Sequence, residues 1–276
     1  MAFAAHRLVR PAFVAVAVTG ALAGCAAEEV VALAPIAPAA APRRGAAPAR
    51  RAARLEAGPQ PPMRVLLGGS VRGRPIEATV FEGGGGCVLI LGGIHGDEPV
   101  SSALVGRLAD HLEARPEARF GKRVVLIPRA NPDGLAAATR WNANGVDLNR
   151  NFPTGNFTAG RRHGAAPLSE PESRALAGAI ARYAPSCVVS VHGPLECIDA
   201  DGGAASRALA QRMASVSPLP LNDLPELSGS LGTYAGSELR LKMITYELDR
   251  SNPPTRRGDD YFAPHLRALL VAVQEG

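Results

Sequence analysis

Residues 63–276 of this sequence lack an excess of charge of either sign. The formal net charge is +5 over 276 residues, but residues 1–62 contain seven arginines against three acidic residues. Residues 63–276 carry 23 basic and 22 acidic residues and are close to neutral. A nucleic-acid-binding surface needs a concentrated basic face, so this balance argues against nucleic acid as a partner.

A long apolar run is also missing. The N-terminal apolar segment, Ala12 to Ala23, is shorter than the ~20 residues that usually span a bilayer. It follows Arg7 and Arg10, and a short apolar run behind positive residues is typical of an export signal. Aromatic residues are scarce, at 4%, but the 46% apolar content suffices for one domain with a sizeable core or two small ones.

The export signal ends in a pattern that resembles the lipobox of bacterial lipoproteins. Leu22-Ala23-Gly24 stands directly before Cys25, so we expect a lipoprotein signal peptide over 1–24 and a lipid anchor on Cys25. The alternative is an ordinary secretory signal cut near Ala23. Ala26 stands where an inner-membrane retention aspartate would stand, so we expect a protein on the periplasmic side, anchored to the outer membrane.

Residues 25–62 form a segment rich in Ala, Pro, Arg and Gly. Such a composition cannot bury a core and predicts a semi-extended tether, followed by one domain over 63–276. Three cysteines lie in this domain, namely Cys87, Cys187 and Cys197. An oxidising compartment would permit a Cys187–Cys197 disulfide, but the sequence does not settle the pairing.

The domain alternates strand and helix patterns. The alternation predicts an α/β fold with one mixed, largely parallel twisted sheet and helices on both faces. Gly83 to Gly86 is interpreted as a hairpin turn, and Ser169 with Glu172 as a capping box. The predicted strands are 76–81, 87–91, 123–127, 187–191 and 241–248, and the predicted helices are 99–113, 170–183, 204–216 and 261–274.

Polar side chains stand where three of these strands end. They are His95 with Glu98, then His192, and finally Glu247. Ligand crevices of open α/β sheets lie at the carboxyl ends of the strands, and two histidines with a glutamate form a His₂Glu set suited to one Zn²⁺ ion with a position left for water. Taken singly, each residue could instead be a helix cap, a hydrogen-bonded histidine or an ion-pair partner.

The ordered motifs resemble those of the zinc carboxypeptidase family, the metallocarboxypeptidases of the carboxypeptidase A type. Within that family the chain is most similar to the bacterial murein peptide amidases, which cut the γ-D-glutamyl–meso-diaminopimelate amide of cell-wall peptides. The resemblance covers the chain from Met63 onward and rests on His95-x-x-Glu98, Asn131-Pro132-Asp133-Gly134, Arg140, the run from Gly145 to Phe152, His192, the run from Gly229 to Gly236, and Thr245-Tyr246-Glu247.

The resemblance and the strand-end pattern imply a role for each residue. His95, Glu98 and His192 would bind zinc, and Glu247 would be the general base. Arg140 would stabilise the oxyanion, while Asn149 and Arg150 would bind a substrate carboxylate. Asp97 could orient a ligand or cap the helix that follows.

Departures from the family pattern leave the substrate preference open. No tyrosine stands in the segment Asp223 to Glu226, where the digestive carboxypeptidases carry a mobile one, and Asp249 replaces the proline common in the amidases. Two other functions remain open from the residues. One is an N-acyl amino-acid deacylase of the aspartoacylase or succinylglutamate desuccinylase kind, and the other is a lipoprotein that binds wall peptides without cutting them.

Overall fold

The computed structural model describes residues 60–249 and 258–276. Residues Arg51–Gly276 form one compact unit. The predicted signal peptide, Cys25 and almost all of the tether lie outside the described residues. Among the helices that are described, none is both long and apolar enough to cross a membrane.

The described part of the domain contains seven strands and five α-helices. The predicted α/β alternation is confirmed, and two strands, β1 and β6, had no sequence prediction. The strands are β1 (Met63–Gly69), β2 (Pro75–Phe81), β3 (Cys87–Leu91), β4 (Arg123–Ile127), β5 (Cys187–His192), β6 (Cys197–Asp201) and β7 (Lys242–Glu247). The helices are α1 (Pro99–Ala114), α2 (Pro132–Ala137), α3 (Pro171–Tyr183), α4 (Ala204–Ala214) and α5 (Asp259–Glu275), with short 3-10 segments at Pro116–Arg119 and Leu148–Arg150 and a π-helical turn at Thr233–Glu238.

The strands form one mixed sheet in the order β1-β2-β4-β3-β5-β7-β6. The four central strands β4, β3, β5 and β7 run parallel, whereas β1, β2 and β6 pair antiparallel at the two sides. All residues of β3 and β5 are buried, as expected for parallel strands covered on both faces. The mixed sheet with a parallel centre agrees with the predicted fold class.

Helices cover both faces of the sheet, as predicted. Alternate residues of β3 point to opposite sides: Val88 and Ile90 pack in one apolar cluster, and Leu89 and Leu91 pack in the other. The first cluster also contains the buried residues of α1, α4 and α5, and the second contains those of α3. Period-two burial in the strand therefore provides the sheet with two separate cores.

The hairpin interpretation of Gly83 to Gly86 is wrong. Strand β4 lies between β2 and β3 in the sheet, so this segment crosses over β4 and does not join neighbouring strands. Gly83 passes so close to the residues before β4 that a Cβ on it would lie 2.2 Å from the carbonyl carbon of Lys122. A glycine is needed for this close approach. A run of glycines has the same sequence pattern in a hairpin turn, so the sequence alone does not distinguish the two.

The capping box at Ser169 is also wrong, because α3 begins one residue later than predicted. Glu170 is the N-cap without a side-chain cap bond, and Pro171 is the first helical residue. Glu172 is therefore one position too early to reach back to the cap. Its buried carboxylate instead accepts hydrogen bonds from Val71 N at 3.0 Å and Asn142 Nδ2 at 3.1 Å.

The three described cysteines are free and buried. Cys187 lies opposite Lys242 at one end of β7, and Cys197 lies opposite Glu247 at the other end, on the far side of that strand. A disulfide needs Cα atoms within about 7 Å, and a whole strand between the two residues exceeds that distance. The fold therefore excludes the Cys187–Cys197 disulfide that the sequence permitted.

Candidate active site and metal centre

The predicted metal ligands meet at the carboxyl ends of β3 and β5. His95 follows β3, Glu98 is the N-cap of α1, and His192 is the last residue of β5. Because β3 and β5 are parallel neighbours, their ends bring the two histidines to the same edge of the sheet. All three residues are buried, and one ligand atom from each lies within 4.8 Å of the others.

The inner atoms of this set are arranged to hold a cation. His95 Nδ1 lies 2.7 Å from Glu98 Oε1, and His192 Nδ1 lies 3.2 Å from His95 Nδ1 and 3.3 Å from Glu98 Oε2. Two imidazole nitrogens that face each other at this distance cannot both be donors to one another. A zinc ion fits the donor set, since nitrogen and carboxylate oxygen are its preferred ligands.

The outer nitrogen of each histidine has its own partner. His95 Nε2 lies 3.1 Å from Asp147 Oδ1, and His192 Nε2 lies 2.8 Å from Ser190 Oγ. Such contacts fix the ring orientation. The carboxylate of Asp147 accepts the proton of His95 Nε2, which leaves Nδ1 of that ring for a metal. Asp147 belongs to the quoted motif but received no role from the sequence. Asp97 is exposed and makes neither of these contacts.

The titratable groups at this centre change one another's pKa values. Burial alone would lower the pKa of His95, but hydrogen bonds to Asp147 and Glu98 outweigh it and raise the pKa to about 9. Burial alone would raise the pKa of Glu98, but hydrogen bonds with His192 and His95 outweigh it and lower the pKa to about 2. The carboxylates of Glu98 and Asp147 thus favour positive charge between them, which is the condition for binding a cation.

One wall of the cleft beside this centre carries the predicted arginines; Arg140, Asn149 and Arg150 are called the arginine wall below. Arg140 Nε donates to Asp147 Oδ2 at 2.9 Å, and Arg140 Nη1 lies 3.5 Å from Glu98 Oε1. Arg150 Nη1 donates to the carbonyl of Asn149 at 2.6 Å, and Asn149 Oδ1 accepts from Leu231 N at 2.8 Å. Burial and the nearby Arg140 lower the pKa of Arg150, although Asp147 opposes the shift.

The opposite wall is built from the last two strands of the sheet. Glu247 ends β7 beside His192, and only 7% of it is exposed. Its Oε2 lies 3.4 Å from Leu195 N, and burial raises its pKa. Asp199 and Asp201 of β6 and Thr245 of β7 lie along the same side. These four residues are called the acidic wall below.

A cavity of about 240 Å³ lies between the two walls. It is lined by six of the seven residues to which the sequence gave a metal, catalytic or substrate role in this domain: His95, Glu98, Arg140, Asn149, Arg150 and Glu247. The seventh, His192, belongs to the ligand cluster. Asp199, Asp201 and Thr245 also line the cavity. The sequence analysis missed the first two because β6 had not been predicted.

Comparison with known proteins agrees with this arrangement. Residues 56–207 match the zinc carboxypeptidase (Peptidase_M14) family. The chain therefore belongs to the zinc carboxypeptidase family, and the resemblance inferred from its motifs is confirmed. It is a hydrolytic enzyme of a zinc-dependent family.

Several of the proteins to which this chain is similar are murein peptide amidases. The chain is 37% identical over 202 residues to murein peptide amidase A of Escherichia coli K12, covering 67% of this chain and 78% of the relative. It is 35% identical to murein peptide amidase A of Vibrio campbellii over 207 residues, covering 67% of this chain and 77% of the relative. The crystal structure of a murein-tripeptide amidase from Escherichia coli O157 superimposes with a TM-score of 0.62 and 32% identity, covering 80% of this chain and 95% of that structure.

Proposed function

We propose that the protein is a zinc-dependent amidase that hydrolyses the γ-D-glutamyl–meso-diaminopimelate bond of peptidoglycan peptides. The observation that carries this proposal is one cavity lined by His95, Glu98, Glu247 and Arg150, with the third ligand, His192, in contact with the first two. A hydrolytic centre beside a half-buried guanidinium suits a substrate whose leaving amino acid carries a free carboxylate. The relatives named above are amidases of murein peptides, and their sequences support the substrate class.

One Zn²⁺ ion would be held by His95, Glu98 and His192 and would supply Lewis-acid activation of water and of the scissile carbonyl. Glu247 takes the proton of the attacking water and delivers it to the leaving amine. Its raised pKa makes it a stronger base than an exposed glutamate. Burial of its carboxylate on the acidic wall excludes bulk water from the proton that it transfers.

The arginine wall binds and orients the substrate. Arg150 offers a planar guanidinium fork that matches a carboxylate. Asn149 adds the NH₂ group of its side-chain amide, and the oxygen of that amide accepts a hydrogen bond from Leu231 N. Arg140 lies against Glu98 and Asp147 at the metal centre. Its guanidinium can therefore stabilise the oxyanion that develops on the scissile carbonyl.

The enzyme would act outside the cytoplasm. We propose export by the signal over residues 1–24, a lipid anchor on Cys25, and a tether that holds the domain at the periplasmic face of the outer membrane. The lipobox-like sequence and the composition of residues 25–62 support this. Radiolabelled palmitate should enter the wild-type protein in cells but not the Cys25→Ser variant, which should move to the soluble fraction.

The test of function is release of diaminopimelate. The purified, zinc-loaded protein should liberate free meso-diaminopimelate from L-Ala-γ-D-Glu-meso-diaminopimelate, measured by chromatography of the products. A metal chelator should stop the reaction, and added zinc should restore it. Turnover of N-acyl amino acids without turnover of the peptide would favour a deacylase, and peptide binding without any turnover would favour a binding lipoprotein.

A further inference from the structure

Two carboxylates on β6, one buried and one half-buried, take no part in the proposed chemistry. Asp199 and Asp201 are two residues apart on one strand, so both point to the same face of the sheet. Asp199 lies opposite Thr245 in the β6–β7 ladder, and Glu247 is the next residue of β7 on that face. Asp199, Asp201 and Thr245 line the same cavity as His95, Glu98 and Glu247.

No described cation neutralises these carboxylates. Asp199 is 7% exposed, and its Oδ1 accepts from the backbone N–H of Leu224 at 3.1 Å. Asp201 Oδ2 accepts from the hydroxyl of Thr245 at 3.0 Å. Across residues 60–249 and 258–276, neither carboxylate forms a salt bridge, and the nearby Arg207 is bound to Asp223.

An unneutralised buried carboxylate is costly unless it serves a ligand. Burial raises the pKa of both groups, that of Asp201 to about 6, and the negative charge of Asp199 adds to the shift at Asp201. Asp201 nevertheless has room, because Gly232 lies against it, where a Cβ would come within 2.6 Å of Asp201 Oδ2. The cavity thus keeps negative charge that no residue in the described ranges neutralises.

We propose that Asp199 and Asp201 bind the side-chain ammonium group of the amino acid that is released, so that the enzyme selects a diamino acid at this position. This inference rests on the proposed function, because it names the recognition of the leaving residue in the same cleft. The shared chemistry is that of lysine and of diaminopimelate, which both carry an amino group on the ε-carbon.

The dimensions of the cleft fit this assignment. Residues on one face of a strand repeat every ~7 Å, so Asp199 lies about one such step from the position of Glu247. In an extended side chain, five bonds separate Cα from the ε-nitrogen, a span of about 6 Å at standard bond lengths. A leaving residue whose α-nitrogen is beside Glu247 can therefore place its ammonium group at Asp199 and Asp201.

The donor geometry favours an ammonium group over other cations. An ammonium has three donors, and the site offers two carboxylates and the hydroxyl oxygen of Thr245 as acceptors. Within the described part of the chain, the only cluster suited to a metal ion is His95, Glu98 and His192. The leaving residue then has its carboxylate at the arginine wall and its ammonium at the acidic wall.

A matched pair of substrates tests this assignment. The tripeptides L-Ala-γ-D-Glu-L-Lys and L-Ala-γ-D-Glu-L-norleucine differ by only the ε-amino group. The wild-type enzyme should have a kcat/KM for the lysine peptide about 100-fold above that for the norleucine peptide, as expected for charge-assisted hydrogen bonds. Asp199→Asn and Asp201→Asn should each reduce this ratio about tenfold. Asp110→Asn, an exposed aspartate on α1, is the control and should leave the ratio unchanged.

The ratio is independent of the fraction of active enzyme, so partial misfolding of a variant does not alter it. Calorimetric binding of free lysine and free norleucine to the zinc-loaded protein gives a second measurement without catalysis. In the wild type, equal kcat/KM values for the two peptides and equal affinities for free lysine and free norleucine would overturn the ammonium site and leave the proposed function intact. Preferential binding of lysine by a protein that hydrolyses no wall peptide would instead support the site and overturn the proposed function.

Discussion

The two walls of the cleft differ in how the chain builds them. The acidic wall is made by strand register, since β6 and β7 place Asp199 beside Thr245 and Cys197 beside Glu247. The arginine wall lies on a loop with little regular structure, in which Leu148–Arg150 forms one short 3-10 turn. A sheet fixes side chains through its backbone ladder, whereas a loop needs other bonds to hold it.

Those other bonds converge on Asn142. Its Oδ1 accepts from Asn144 N at 3.1 Å and from Val146 N at 3.0 Å, and its Nδ2 donates to Glu170 and Glu172 at 2.7 and 3.1 Å. This buried amide ties the loop between Arg140 and Asp147 to the start of α3. The position of the arginine wall therefore depends on a few buried polar side chains, whereas that of the acidic wall depends on the hydrogen bonds of the sheet.

Among the residues of the acidic wall, Glu247 should have the largest effect on kcat when it is replaced. Glu247→Gln keeps the shape of the side chain but removes the base, and general base catalysis contributes about 10²–10⁴ in rate. We expect kcat for the murein tripeptide to fall about 10³-fold while zinc content stays near one ion per chain by atomic absorption. Glu113→Gln, an exposed change on α1, is the control. Retention of wild-type kcat in Glu247→Gln would remove this residue from the mechanism.

The arginine wall should instead affect binding. Arg150→Lys keeps the charge but loses the planar fork, so we expect a loss of about 10–100-fold in kcat/KM, seen mainly as a higher KM, because hydrogen bonds to charged groups contribute about 1.5–3 kcal/mol. Steady-state kinetics on the murein tripeptide would measure it. Arg161→Lys, an exposed change on the same loop, should behave as wild type. A lower kcat with an unchanged KM would move Arg150 from binding to chemistry.

The arginine wall could be predicted from the sequence, whereas Asp199 and Asp201 of the acidic wall could not, and the difference has a physical reason. The arginine wall comes from one short segment of sequence, Arg140 to Arg150, and its residues fall in motifs that can be read without a structure. Asp199 and Asp201 acquire a role only when β6 joins β7. That strand has five residues, and its alternation of apolar and polar residues, Ile198 to Asp201, is as short as a pattern that predicts a strand can be. The parallel core was predictable, because its strands are short, continuous apolar runs.

Of the two partners of the histidines, Asp147 could not be found from the sequence, whereas the spacing of Ser190 could have indicated it. Asp147 is 52 residues from His95, and contacts at that separation depend on the path of the loop, which has no periodicity. Ser190 is two residues from His192 on the same strand, a spacing that places both on one face. The capping box failed because one residue of shift in the start of α3 changed the role of Glu172 from a cap to a buried anchor.

The two histidine partners should differ in their effect on zinc affinity. Asp147 joins His95 to Arg140 through its two oxygens, whereas Ser190 offers one hydroxyl to His192. We expect Asp147→Asn to weaken zinc binding about 10–100-fold, and Ser190→Ala to weaken it less. Competition with a fluorescent zinc chelator measures both. Equal effects would show that the charge of Asp147 adds nothing to the orientation of the ring.

The acidic wall should also respond to pH. The pKa of Asp201 is raised to about 6 by burial and then by Asp199, with a smaller contribution from Glu226, whereas Thr245 and His192 oppose the shift. Its charged form is therefore lost as pH falls through about 6. We expect the lysine-to-norleucine ratio of kcat/KM to fall severalfold between pH 7.5 and 5, and the decline to be smaller in Asp201→Asn. A ratio that is constant over this range would exclude Asp201 from cation recognition.

The smallest expected effect is one of stability, and it has the opposite sign to the effect on selectivity. A carboxyl group whose pKa is higher in the folded state than in the unfolded state destabilises the fold above its unfolded pKa, and the cost is complete once pH exceeds the folded value. For Asp201 that window extends from about 4 to about 6. Asp201 is only partly shielded from solvent, so we expect Asp201→Asn to gain about 1 kcal/mol at pH 7.5, a rise of a few degrees in melting temperature. Calorimetry at pH 7.5 and 4 should show the gain at the higher pH only, and Asp110→Asn should show none. A lower melting temperature of Asp201→Asn at pH 7.5 would mean that the carboxylate stabilises the fold without a ligand, which would argue against a role in binding a cationic ligand.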